Sequence, residues 1–192
     1  DGLADNELAL ITRLLKASDA IASSIRHALP PQIKAMKARH HGDFHLGQVL
    51  VAKDDAFILD FEGEPGRSLA ERRQKAPAAR DVAGMIRSID YSTVTALANA
   101  ANLTAEERNI LHPKLTVWRD QATEAFWNAC RQATDPALWP SDPALAQRLL
   151  DFFLLEKAFY EIEYELMNRP AWLHVPLEGT WRILTRQGAV QP

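Results

Sequence analysis

A single cysteine, Cys130, stands among 192 residues. No disulfide can form within the chain, and a reducing compartment, the cytoplasm, is the expected setting. Long hydrophobic runs are absent too: none approaches the roughly 18 apolar residues a membrane-spanning helix needs, so no membrane partner is expected. Basic charge is not in excess, with 22 Lys and Arg against 25 Asp and Glu and a formal net charge of −3. That balance argues against nucleic acid as a partner. The opening residues Asp1-Gly2-Leu3-Ala4-Asp5 lack the basic start and apolar segment of a secretory leader. They also lack an initiator Met, so a processed product or a piece of a longer chain is expected. The rest is ordinary for a globular protein: 47% apolar and 24% charged. This is enough to bury a core in one domain, 1–192, and excludes wholesale disorder or collagen-like repeats.

Hydrophobic periodicity divides the chain into mostly helical segments. Leu8, Ile11, Leu14, Leu15, Ile21, Ile25 and Leu29 recur at helical spacing, predicting one helix from Asn6 to Leu29 that ends at Pro30-Pro31. Met36 to His41 reads as a short strand. Val49 to Val51 and Ala56 to Phe61 read as two strands joined by a turn at Asp54-Asp55. Glu62 to Ala78 reads as a long charged loop, and loops of that length inside compact domains tend to be functional. Helix is expected from Arg80 onward. Thr104 and Glu107 form a capping box opening a further helix that Pro113 should break or kink. Another helix is expected from Leu149 to Asn168, stopped by Pro170, and a last short element from Leu177 to Leu184. The fold class is therefore mainly α with a small β-hairpin.

The chemistry concentrates in His41-Gly42-Asp43-Phe44-His45-Leu46-Gly47-Gln48, followed by Leu59-Asp60-Phe61-Glu62-Gly63. Asp43 and His45 lie on a glycine-flanked loop, where the backbone can hold side chains in a cleft. A hairpin brings Gln48 and Asp60 to the same open end, an oxygen pair suited to a hard divalent cation beside the Asp43 carboxylate. Phosphoryl transfer uses such a set: a carboxylate for the hydroxyl proton and oxygen ligands for Mg²⁺ on the phosphates. Three other readings stay open on residues alone. His40, His41 and His45 suggest zinc but lack a fourth ligand at a usual spacing. Asp43 with Asp60, or Glu62 with Glu64, offers a hydrolase-type carboxylate pair. The loop can also be purely structural.

Residues 157 to 168 carry a second pattern. Lys157, Tyr160, Glu161, Tyr164, Glu165 and Asn168 fall on one helical face, with Leu155, Phe159, Ile162 and Leu166 opposite and expected to pack. Stacking rings and charged hydrogen-bonding groups suit a sugar, and a plainly solvated face with Lys157 paired to Glu161 is the alternative.

The motif resembles the catalytic and metal-binding loops of the aminoglycoside-phosphotransferase-like kinases. In its extended form it resembles their maltokinase family, whose members are often fused to, or encoded beside, trehalose synthase. The similarity runs from His41 to Val51 and from Ile58 to Pro65. It continues through Leu69-Ala70-Glu71-Arg72-Arg73, Arg80 to Met85 and Ser88-Ile89-Asp90-Tyr91, and resumes from Glu156 to Trp172. Gln48 stands where most of the superfamily has Asn and the maltokinases have Gln. The resemblance implies Asp43 as catalytic base, Gln48 and Asp60 as Mg²⁺ ligands, and His45 and Asp81 as structural supports of the catalytic loop. It also implies Lys157, Tyr160, Glu161, Tyr164, Glu165, Arg169 and Trp172 as the acceptor-sugar site. The implied reaction moves the γ-phosphoryl of ATP, or another nucleoside triphosphate, with Mg²⁺ to maltose, giving maltose 1-phosphate. The chain would then be a kinase C-lobe, inactive alone. Its partners would be a missing N-terminal nucleotide-binding lobe, a trehalose synthase domain or subunit, and a second copy covering the apolar surface that the lobe leaves open. A non-catalytic module of a trehalose synthase assembly and a metal-dependent hydrolase are the competing functions.

Overall fold

A computed structural model describes residues 5–64, 66–100 and 102–191; Pro65, at the end of one matching stretch, and the first four residues lie outside them. The described elements are helices α1 (Asp5–Lys16) and α2 (Ser18–His27), strands β1 (Val49–Ala52) and β2 (Asp55–Ile58), and helices α3 (Leu69–Arg72), α4 (Ala79–Asn99), α5 (Ala105–Ala133), α6 (Pro143–Asn168) and α7 (His174–Arg186). Single 3-10 turns cover Leu46–Gln48, Pro136–Leu138 and Pro170–Trp172. The class is as expected: mainly helical, with one two-stranded antiparallel hairpin. No described helix is long and apolar enough to cross a membrane. The chain divides into two compact units, Asp1–Lys34 with Ser141–Pro192, and Ala35–Pro140.

In the first unit α6 packs on α7, and α7 on α1. Leu149, Leu150, Leu154, Leu155 and Ala158 of α6 are buried, as are Val175, Leu177, Ile183 and Leu184 of α7. The single helix expected from Asn6 to Leu29 is two. The chain breaks at Ala17, whose φ of −92° and ψ of 3° lie outside the helical well. Asp19 in the first turn of the second helix favours a new N-terminus there, where the helix dipole attracts an acid. The last element begins at His174, three residues before the expected start.

In the second unit α4 packs on α5. Ala79, Val82, Ala83, Met85, Ile86 and Ile89 of α4 are buried. Arg87 is fully buried beside them and donates to Asp90 at 2.6 Å. The Thr104–Glu107 capping box forms as expected. Pro113 does not end the helix it opens: α5 runs on to Ala133 with the proline inside. A proline removes one backbone donor, and in a 29-residue helix packed along a neighbour the remaining bonds suffice.

The expected strand Met36 to His41 reduces to one antiparallel bridge, Ala38 with Ala76. The facing segment reaches Pro77, which has no amide with which to extend a ladder. The hairpin itself pairs Val49 with Ile58 through Ala52 with Asp55. Its turn falls at Lys53-Asp54, both with positive φ, one residue earlier than expected. Such a pair matches the twist of the flanking strands. The loop from Glu62 to Ala78 holds α3, which a reciprocal Ser68–Glu71 capping box nucleates.

Candidate functional site

The glycine-flanked loop is built by α4 and the hairpin together. Asp81, in the first turn of α4, accepts the His41 amide on Oδ2 (2.7 Å) and the Gly42 amide on Oδ1 (2.9 Å). Both oxygens of one carboxylate are thus committed to the loop backbone. Gly42 sits at φ +87°, and a Cβ there would stand 3.1 Å from the Gly63 backbone. Only glycine meets both demands without strain.

His41 ties the two halves of the motif to each other. Its buried ring donates from Nε2 to the Leu59 carbonyl (2.7 Å) and accepts the Asp43 amide on Nδ1 (3.3 Å). Those bonds define one neutral tautomer. The ring also packs between Phe44 and Phe61, with centroids at 5.5 and 4.9 Å. Asp43 therefore hangs from the same imidazole that holds the residue before Asp60. The sequence marks His41 only as a candidate metal ligand; its position two residues before Asp43 is the signal of this bracing role.

Asp43 keeps a partly exposed side chain, with His45 Nε2 3.8 Å from its carboxylate. His45 Nδ1 accepts the Gly47 amide (3.1 Å) and so caps the 3-10 turn that carries Gln48. At the end of the hairpin the Gln48 side-chain amide donates to Asp60 Oδ2 at 3.2 Å. Asp60 takes φ +59°, a left-handed conformation that aspartate adopts more readily than most side-chain-bearing residues, and it turns the chain out of the hairpin. Two oxygen-bearing side chains meet here. Among the described residues no group of three His, Cys, Asp or Glu could hold a metal ion. The Asp60 carboxylate and the Gln48 side-chain oxygen are hard donors of the kind Mg²⁺ accepts, one or two at a time, with phosphate and water completing its shell.

His40 lies beside this loop with Nδ1 buried and without a hydrogen-bond partner among the described residues. Burial pushes its imidazole below the ordinary 6.5, against an opposing pull from Asp81. The unfolded chain thus binds this proton more tightly than the folded one. Stability should fall as pH drops below 6.5 and level off once pH passes the folded value. His40→Gln should flatten that acid-side decline in urea titrations on either side of this pH; an unchanged slope would remove His40 as its source.

The second set lies in the first unit. Tyr160 and Tyr164 stack at 6.3 Å and 26°, with Lys157 Nζ 4.7 Å from the Tyr160 ring. The Arg169 guanidinium lies 5.4 Å from Tyr164 and 5.7 Å from Trp172. It also donates to both oxygens of Glu165, at 3.0 and 2.6 Å. The opposite face corrects the expectation. Phe159 and Leu166 are exposed, and of the four residues expected to pack only Leu155 is fully buried. The buried stripe instead runs Leu154, Ala158, Glu161, Glu165. The bidentate guanidinium makes burial of the Glu165 carboxylate sustainable, and periodicity alone cannot see that pairing.

No family model matches the chain. By sequence it is similar to a glucosamine kinase of Mycolicibacterium smegmatis, 31% identical over 137 residues, covering 71% of this chain and 32% of that protein. A glucosamine kinase of Streptacidiphilus jiangxiensis is 29% identical over 136 residues, covering 71% and 29%. Among solved structures, a glucosamine kinase superposes with a TM-score of 0.65 at 20% identity, covering 93% of this chain and 47% of the other. A glucosamine kinase in complex with glucosamine, ADP and inorganic phosphate gives 0.65 at 19%, covering 94% and 49%. The chain spans about a third of these curated relatives and about half of the solved ones. The sequence similarity is to sugar kinases, here glucosamine kinases, and the chain shares its fold with half of a solved kinase.

Proposed function

We propose that the polypeptide containing this chain is a sugar kinase and that this chain is its C-terminal lobe. The carrying observation is the His41 imidazole, which joins the Asp43 amide to the Leu59 carbonyl and so keeps the base and the metal-binding end of the hairpin in one arrangement. Similarity to sugar kinases across 71% of the chain supports the same reading. Leu50, Val51, Phe57 and Ile58 of the hairpin are exposed apolar side chains, a surface suited to covering by a nucleotide-binding lobe.

In this reading Asp43 accepts the proton of the attacking sugar hydroxyl as the γ-phosphoryl of ATP arrives. Gln48 and Asp60 would hold Mg²⁺ together with the nucleotide phosphates, where it would supply charge neutralisation. Asp81 and His45 keep the loop rigid, so Asp43 needs no reorganisation when substrate binds. Lys157, Tyr160, Tyr164, Arg169 and Trp172 bind the acceptor, the rings by stacking and the charged groups by hydrogen bonds, while the buried Glu165 holds the Arg169 guanidinium in place and Glu161 lies buried behind the face.

Glucosamine is the acceptor that the relatives favour. Maltose, giving maltose 1-phosphate, is the second reading, favoured by Gln48 and the residue 156–172 motif. Titrating each sugar into the complete polypeptide and following the amide signals of residues 157–172 separates them. Glucosamine should shift those signals at lower concentration than maltose, and Tyr164→Ala should weaken binding by about 1–3 kcal/mol through the lost ring and hydroxyl. If neither sugar moves those signals, the acceptor assignment is wrong.

A further inference from the structure

Asp81, Gly84 and Ser88 recur at i, i+3 and i+7 on α4, which puts them on one face of the helix. All three meet the loop that carries Asp43. Asp81 takes the amides of His41 and Gly42. At Gly84 the helix approaches the Phe44 backbone so closely that a Cβ would stand 2.7 Å from the Phe44 carbonyl oxygen. One turn further on, Ser88 Oγ accepts the Leu46 amide at 3.0 Å. The loop is thus held at 41–42, 44 and 46, on both sides of Asp43.

Gly84 is unlike the loop glycines. Its φ is not positive, so no unusual backbone conformation calls for it, and inside a helix glycine is less favourable than alanine. What it supplies is space against a backbone oxygen, which cannot rotate away as a flexible side chain would.

We propose that Gly84 and Ser88 are positioning residues for Asp43: they set the backbone after the base as Asp81 sets it before. The effect on rate rests on the phosphoryl-transfer reading above; the positioning itself does not. In the complete polypeptide Gly84→Ala should lower kcat by about 10²-fold, the loss that a displacement near 1 Å can cause. KM for nucleotide should change little, while the melting temperature should fall as well, because a Cβ 2.7 Å from a backbone oxygen forces helix and loop apart and alanine's helix preference offsets only part of that; Ser88→Ala, which adds no atoms, separates positioning from overall stability. Ser88→Ala should lower kcat in the same direction and accelerate hydrogen exchange at the Leu46 amide. Ser88→Thr keeps an acceptor oxygen and should restore both.

If Ser88→Ala leaves Leu46 exchange at the parental rate, or if Ser88→Thr does not restore protection, the proposal is overturned, whatever becomes of Gly84→Ala. Parental kcat in both the alanine variants also overturns it. If the parental polypeptide phosphorylates no sugar, the kinase reading fails, and Leu46 exchange across the Ser88 pair still decides the positioning.

Discussion

Asp43→Asn in the complete polypeptide should reduce phosphoryl transfer to sugar by about 10²–10⁴-fold, the range that a positioned general base contributes. Asparagine has the shape of aspartate but cannot take the hydroxyl proton. The fold should survive, since asparagine keeps the shape of the side chain and backbone amides anchor the loop: the Asp43 amide goes to His41, and its neighbours go to Asp81 and Ser88. Sugar and nucleotide affinity should stay near parental, so the loss should fall on kcat. Initial rates with labelled ATP measure it, and a variant retaining half the parental rate would take Asp43 out of the role of base.

Asp81→Ala should be the more damaging change to the fold. It removes both acceptors of the His41 and Gly42 amides in a part-buried setting. Hydrogen bonds to a charged partner contribute about 1.5–3 kcal/mol each, so a loss of about 3 kcal/mol or more is expected, a large share of a typical domain's 5–15 kcal/mol. Asp81→Asn keeps one acceptor oxygen and should fall between. Urea unfolding measures both; an Asp81→Ala variant within about 0.5 kcal/mol of the parent, as for an ordinary surface change, would mean that the loop does not depend on this carboxylate.

What the sequence made legible was mostly local. The Thr104–Glu107 box, the hairpin, the long α6 and the placement of the 41–63 motif on a loop and a hairpin follow from short-range patterns. The Ser68–Glu71 box obeys the same rule and was readable in the same way, yet the charge density around it read as loop. Pro113 does not end α5 because a proline's local cost is outweighed along a long, packed helix. The burial of Glu161 and Glu165 was hidden for a different reason: hydrophobicity scores a carboxylate as outward, and only the position of Arg169 shows that the Glu165 charge is compensated. The roles of Gly84 and Ser88 needed the loop's path in space, because nothing within α4 itself marks them.

If the loop built around Asp43 serves transfer of a phosphoryl group to a sugar, the label of the nucleotide must end on that sugar. The most direct measurement follows the label of γ-labelled ATP in the complete polypeptide with Mg²⁺ and either glucosamine or maltose. Label on the sugar, lost in Asp43→Asn, is the expected result. Label appearing only as free phosphate, or sugar cleaved without label, would point to hydrolysis and contradict it; ATP left unconsumed with both sugars would contradict it as well.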